Sequence, residues 1–449
     1  MGSLTREIGA FVAGLGFDSV PDAGLAVVRN GFADFTATVL LGRGDEVTRI
    51  VRDTLVGAHE SPESRLLFGV ERVLGPSAAL VNGVASHAQD YDDVGLSGIQ
   101  PTHPSASIAP AVFAEAEALG RDGKAMTTAY VAAFETWGEL ATRIKDPIHV
   151  KGWHPTGTFG AIAAAAAAAS LRGLDGDAAA RAVAIAASLS AGVIANFGSM
   201  TKPFHAGRAA QSGVVAARLA QAGMTAAPDA LESNLGFLRA IAPKGEADLT
   251  SPAQFGARWF IESHGLGFKL FPMCYGAHRA LDGIFTLLAR TPFSADEVES
   301  IDVEQTQAQF SNLVHTDPRS ALDAKFSMEF AMACAVVARR CTRAEFDESF
   351  VNRADVRALM GKVRRRFKNG PDRVGDGLVA TLKDGRKLDQ RFTYPLGDAQ
   401  RPAPPEALWT KFADCVSGAL DDAGARRMFD MLQNVEKLRS PADLPVARA

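Results

Sequence analysis

Cysteine is scarce in this 449-residue chain, and the four present (Cys274, Cys334, Cys341, Cys415) form no Cys-x-x-Cys pair. That spacing excludes a disulfide framework, a zinc knuckle and a grouped iron–sulfur ligand set, and it suits a reducing compartment. An excess of one charge sign is also lacking: 47 Lys and Arg stand against 51 Asp and Glu, a net charge of -4. With the signs interspersed, no basic face for nucleic acid and no acidic tail is expected. The one dense basic run, KVRRRFKNG at 362–370, is short and reads as a solvated strand edge. Long apolar runs are missing as well. The richest, 159–171, is built of alanine and is too short to span a bilayer, so no membrane partner is expected. The N-terminal MGSLTREIGAFVAGLGF has neither the basic region nor the long apolar core of a signal peptide, and Arg6 breaks the myristoylation pattern. A cytoplasmic protein is the expectation.

What is present is the composition of a folded soluble protein, 47% hydrophobic and 22% charged. The length exceeds one hydrophobic core, so two domains are expected. From Pro21, apolar positions Leu25, Val28, Phe32, Phe35 and Val39 step by three and four until Gly42, an amphipathic helix with a proline start and a glycine stop. Segments 76–94, 104–119, 124–144, 157–172, 177–196 and 206–223 read the same way. Several consist mainly of alanine, glycine and serine, which predicts buried helices with closely approaching axes. After about residue 265 the texture changes. VESIDVEQT (298–306) alternates like a strand, and GLVATLKDGRKLDQRFTY holds two extended runs joined at Asp384-Gly385, a hairpin signal. Past Pro395 helical patterning returns. The fold class expected is mainly α: a large helical domain from both chain ends (1–265 and 397–449) with a smaller inserted α+β domain (266–396).

Four stretches carry candidate chemistry. HAQDYDDVGLSGIQPTHPS (87–105) crowds three aspartates and two histidines into nineteen positions. Carboxylates beside imidazoles suit a metal or metal-free proton transfer. No calcium-loop spacing and no HExxH pattern occurs, so no metal is expected. With a helix over 78–94, Asp93 enters the loop that holds Ser97, Thr102 and His103, whereas Asp90 and Asp92 would hold or solvate the helix end. KGWHPTGTFGA puts His154 at a helix entry, where an imidazole could bind a carboxylate, donate a proton or simply cap. GSMTKPFHAGRAAQSG puts Lys202, His205 and Arg208 at the start of a small-residue helix, an expensive place for cations unless they meet anions. GLGFKLFPMCYGAHRALDG brings Lys269, Cys274 and His278 to the junction between the domains, where ligand sites are favoured. Cys274 has no activating neighbour in sequence and reads as packing.

Taken in order and at these intervals, SHAQDYDDV…PTHPSA, GWHPTGTFGA, KPFHAGRAAQSG with ALESNLGF, and FKLFPMCYGAHRALDG resemble the MmgE/PrpD family. The resemblance implies a homodimer of subunits with a helical domain and a lid, and a site between the domains that needs no metal or organic cofactor. It places catalytic groups on Asp93, His103, His154, Lys202 and His278; Ser97, Thr102, His205, Arg208 and Lys269, in the same stretches, are the residues expected around the substrate. Many members have tyrosine where this chain offers Phe326 and Phe330, and the decarboxylase branch has threonine where it has Ser97. The activity implied is a cofactor-independent lyase on a small di- or tricarboxylate. A 2-methylcitrate dehydratase-like reaction stands first and cis-aconitate-type decarboxylation behind it. An epimerase of an amino- or iminodicarboxylate and a noncatalytic carboxylate binder are the alternatives.

Overall fold

The computed structural model describes residues 3–58, 60–95, 99–370 and 375–447. The chain forms two compact units, one of residues 1–195, 200–268 and 404–449, the other of 196–199 and 269–403. The architecture is mainly α. Among the described residues no helix is long and apolar enough to cross a membrane.

The first unit carries α1 (Leu4–Gly14), α2 (Asp22–Gly42), α3 (Glu46–Leu55), α4 (Gly75–Ala88), α5 (Pro104–Leu119), α6 (Gly123–Thr142), α7 (Pro155–Leu171), α8 (Gly176–Leu189) and α9 (Thr201–Gln221). Its small strands are β1 (Ser64–Arg65), β2 (Arg72–Val73), β3 (Val94–Gly95) and β4 (Leu266–Gly267). In α7 the run from Pro155 to Ala169 is buried on every side, so its lack of an apolar stripe reflects a central position. Helix α9 lies against both α4 and α7 through glycine. A Cβ on Gly207 would sit 2.3 Å from the Leu80 carbonyl oxygen, and one on Gly213 would sit 2.4 Å from Ala164. These contacts bring the start of α9 beside the end of α4 and the start of α7. Replacing Gly207 with alanine is therefore expected to push α4 from α9 and destabilise the protein by about 1–3 kcal/mol, read from urea unfolding midpoints.

The second unit has its own core around α10 (His278–Arg290) and α11 (Met328–Ala338). These pack on a four-stranded sheet of β5 (Val298–Thr306), β6 (Val363–Lys368), β7 (Gly377–Leu382) and β8 (Lys387–Arg391), ordered β6-β5-β7-β8. The β5–β6 pairing is parallel; the others are antiparallel. The basic run is the edge strand β6, where Arg365 pairs with Glu329 and Arg366 with Asp302. Two closing helices, α12 (Pro405–Val416) and α13 (Asp422–Leu432), belong to the first unit.

Three helix limits differ from those the sequence pattern predicts. Helix α4 stops at Ala88 rather than running to 94, because Asp90 adopts a left-handed conformation, with φ of 52°. Helix α8 ends at Leu189 rather than 196. Helix α9 starts at Thr201, five residues before the predicted 206, which puts Lys202 and His205 in its first turns.

Candidate active site

The site is assembled where helix ends of the first unit converge. His103 is the residue before α5, His154 the residue before α7, and Lys202 and His205 lie in the first turns of α9. Helix N-termini carry unpaired N–H groups and a partial positive charge, a setting that favours anions. Opposite them, the last turn of α4 carries His87, and the chain then turns through Asp90, Tyr91 and Asp92.

Four imidazoles form a row. Ring centroids lie 4.6 Å apart for His103 and His87, 6.0 Å for His87 and His154, and 5.3 Å for His154 and His205. Asp92 bridges two of them, with His87 Nδ1 2.8 Å and His103 Nδ1 3.2 Å from its Oδ2. His103 Nδ1 also lies 2.8 Å from the Asp93 carbonyl oxygen. A carboxylate and a carbonyl only accept, so both Nδ1 atoms carry hydrogen, which leaves each Nε2 as the proton-exchanging atom. His87 Nε2 is buried with no hydrogen-bond partner among the described residues. The Lys202 ammonium donates to Asp90 Oδ1 at 2.6 Å in a buried pair. His154 and His205 meet Nδ1 to Nδ1 at 3.1 Å, one donating to the other.

Burial and the Lys202 charge hold His87, His154 and His205 toward their neutral forms. His205 is lowered to about 4, first by burial and then by Lys202. His154 falls well below the ordinary value for the same two reasons, and burial takes His87 to about 3 against the pull of Asp92. An unfolded chain takes up protons on these groups below its value of 6.5, whereas the folded one does not, so their stabilisation is lost as pH falls. His205→Gln is expected to flatten the fall in stability between pH 6.5 and about 4 by up to one proton relative to wild type. Paired urea titrations across that window measure it; identical slopes would refute the neutral His205.

His87, Asp90, Asp92 and His103 each offer a donor atom, all within 4.8 Å of one another, and so could hold a metal ion. The Lys202 ammonium already neutralises Asp90 and would repel a divalent cation there, so the donor set fits a protonic site better than a metal centre.

Residues 6–250 match the family model described as the MmgE/PrpD N-terminal domain, and residues 271–437 that of the MmgE/PrpD C-terminal domain. The chain belongs to the MmgE/PrpD family. It is 28% identical to the cis-aconitate decarboxylase of Homo sapiens over 97% of this chain and 92% of that one. It is 25% identical to the cis-aconitate decarboxylase of Aspergillus terreus, over 97% and 94%.

Of the site residues expected from the sequence, the structure brings together His103, His154, Lys202 and His205. Thr102 lies beside them, its Oγ1 3.3 Å from that of Thr156, which accepts from the His103 N–H. Asp93 is not paired to His103 through its carboxylate. Its Oδ1 accepts from the Ser105 N–H at 3.2 Å and caps α5, and burial with nearby Asp34 pushes it well above the usual carboxylate range. Asp90 and Asp92, assigned by sequence to the helix end, instead hold Lys202 and the imidazoles. Arg208 is exposed and bonded to Gln211 at 2.7 Å, and it lines a pocket together with His205. Ser97 lies outside the described residues.

Lys269 and His278 belong to the second unit. Both are buried, and His278 Nε2 donates to the Met273 carbonyl at 3.1 Å, its ring set between Phe271 and Tyr275. Phe330 packs with Phe346 and Phe350 in an aromatic core, and Phe326 is likewise buried.

Sequence reasoning missed His87, Asp90 and Asp92 as functional groups. One signal was available: a buried Lys202 needs an anion, and the DYDD segment supplies carboxylates for it.

Proposed function

We propose that this protein is a lyase acting on a small tricarboxylate, and that its reaction is decarboxylation of a cis-aconitate-type substrate. One observation carries the substrate class: a buried ammonium beside a row of four imidazoles, three of them at converging helix N-termini, a setting suited to carboxylates and to proton transfer. The reaction type rests on the relatives, which are cis-aconitate decarboxylases and whose similarity extends over nearly the whole chain. That reverses the order suggested by the sequence motifs, in which dehydration stood first.

In the proposed reaction the carboxylate on the substrate's CH₂ arm leaves as CO₂. Its bonding electrons form the new terminal double bond, and the pair of the original double bond moves to the far alkene carbon, beside a second carboxylate. Lys202 stabilises the charge that develops there. A protonated imidazole, assigned to His103 with Asp92 fixing its Nδ1–H, delivers one proton to that carbon, and the product is a methylene-substituted succinate. A bound polyanion raises the proton affinity of a neighbouring imidazole, which favours a charged donor in the complex. His278 and Lys269 are retained in the proposal as a further proton-transfer group and a substrate cation, and a homodimer is its expected assembly, checked by light scattering.

The test is incubation of the purified protein in D₂O with cis-aconitate, citrate and 2-methylcitrate, followed by NMR. CO₂ release with one deuterium in the methylene succinate is expected. Water loss from 2-methylcitrate without CO₂ would establish the dehydratase, and deuterium exchange alone an epimerase.

A further inference from the structure

The turn that presents Asp90 and Asp92 is anchored by a residue 320 positions away. Lys411, in the second turn of α12, is buried. Its ammonium donates to the Tyr91 carbonyl at 2.6 Å, pairs with Asp34 Oδ1 of α2 at 2.5 Å, and lies 4.3 Å from the centre of the Tyr91 ring. Tyr91 is the residue between the two functional carboxylates. The turn departs from ordinary backbone: Asp90 occupies the left-handed region, with φ of 52°. On the side away from the imidazoles the segment is tied by Lys411 to Tyr91 and by the Ser105 N–H to Asp93.

We infer that Lys411 is a positioning residue: through the Tyr91 carbonyl it sets the direction in which Asp90 meets Lys202 and Asp92 meets His87 and His103. The closing part of the chain, remote in sequence from every motif above, thereby takes part in building the site. A bare structural role for a buried ion pair would require only that charge be balanced against Asp34. A positioning role requires the donor itself.

The two roles separate in a variant pair. Lys411→Met leaves Asp34 uncompensated, so loss of stability is expected along with loss of turnover. Asp34→Asn combined with Lys411→Met removes both charges and is expected to recover most of the stability, while kcat stays about 10²-fold below wild type, the scale of a small misplacement of reacting groups. Thr410→Ala, on the exposed side of the same helix, is the unaffected control. Recovery of wild-type kcat together with stability in the double variant would overturn the inference. The kinetic readout rests on the lyase reading, so a second measurement uses substrate-free protein. The imidazole ¹⁵N shifts of His87 and His103, which report their bonds to Asp92, are expected to move in the double variant. Unchanged shifts would refute the positioning role whatever reaction the protein catalyses.

Discussion

Lys202→Ala is expected to lower kcat/KM by roughly 10²–10³-fold, the scale seen when a preorganised charge-stabilising donor is removed from a dry site. The ammonium is the cation paired with Asp90 at 2.6 Å, and both partners are buried. Removing it also leaves a buried carboxylate uncompensated, which destabilises by about 3–5 kcal/mol. Loss of activity could then be misread as loss of fold. Chemical rescue separates the effects: the truncated side chain leaves a cavity next to Asp90, and a small alkylammonium ion such as ethylammonium is expected to restore part of the turnover in folded variant protein. A folded Lys202→Ala protein that turns over within tenfold of wild type, with no response to the amine, would remove Lys202 from the chemistry.

The second large effect is expected at Asp92. Asparagine there keeps the shape, but His87 Nδ1 lies 2.9 and 2.8 Å from the two carboxylate oxygens, so whichever becomes the amide NH₂ faces its N–H, while His103 can keep an acceptor only where Oδ2 stands, at 3.2 Å. At least one imidazole must then flip its tautomer or lose its anchor, and a loss of about 10²–10⁴ in kcat follows, the range for disabling acid–base assistance. Asp93→Asn is the informative contrast. That carboxylate is held toward its protonated form and accepts from Ser105, so an amide mimics it and turnover is expected to stay within a few-fold of wild type. Measuring kcat for the two variants side by side decides between adjacent aspartates. An inactive Asp93→Asn beside an active Asp92→Asn would return the catalytic role to Asp93.

That contrast shows where reading the chain stopped. Whether 92 or 93 faces the imidazoles depends on where α4 ends. A helix to residue 94 sends Asp93 into the loop with His103. A helix to Ala88, followed by the left-handed Asp90 and an extended step, exchanges the faces. Periodicity is insensitive to six residues at a helix end, because Asp and Tyr neither continue nor break an apolar stripe. The same limit applied to α9: starting at 206 would leave Lys202 in a loop, whereas starting at Thr201 makes it part of the converging helix ends.

The linear sequence determined the family, through four spaced motifs, together with the mainly helical character and the burial of the alanine-rich segments. It also showed that Lys202, set in a small-residue helix, must meet an anion. Those properties rest on local composition and spacing, which survive any error of register. Only the tertiary structure decided which anion: the backbone approach at Gly207 and Gly213 fixes how α9 lies against α4 and α7, and so which carboxylate its first turn can reach. It alone brought Lys411 beneath Tyr91, because a buried charge is satisfied by whatever the fold brings within about 3 Å, however distant in the chain.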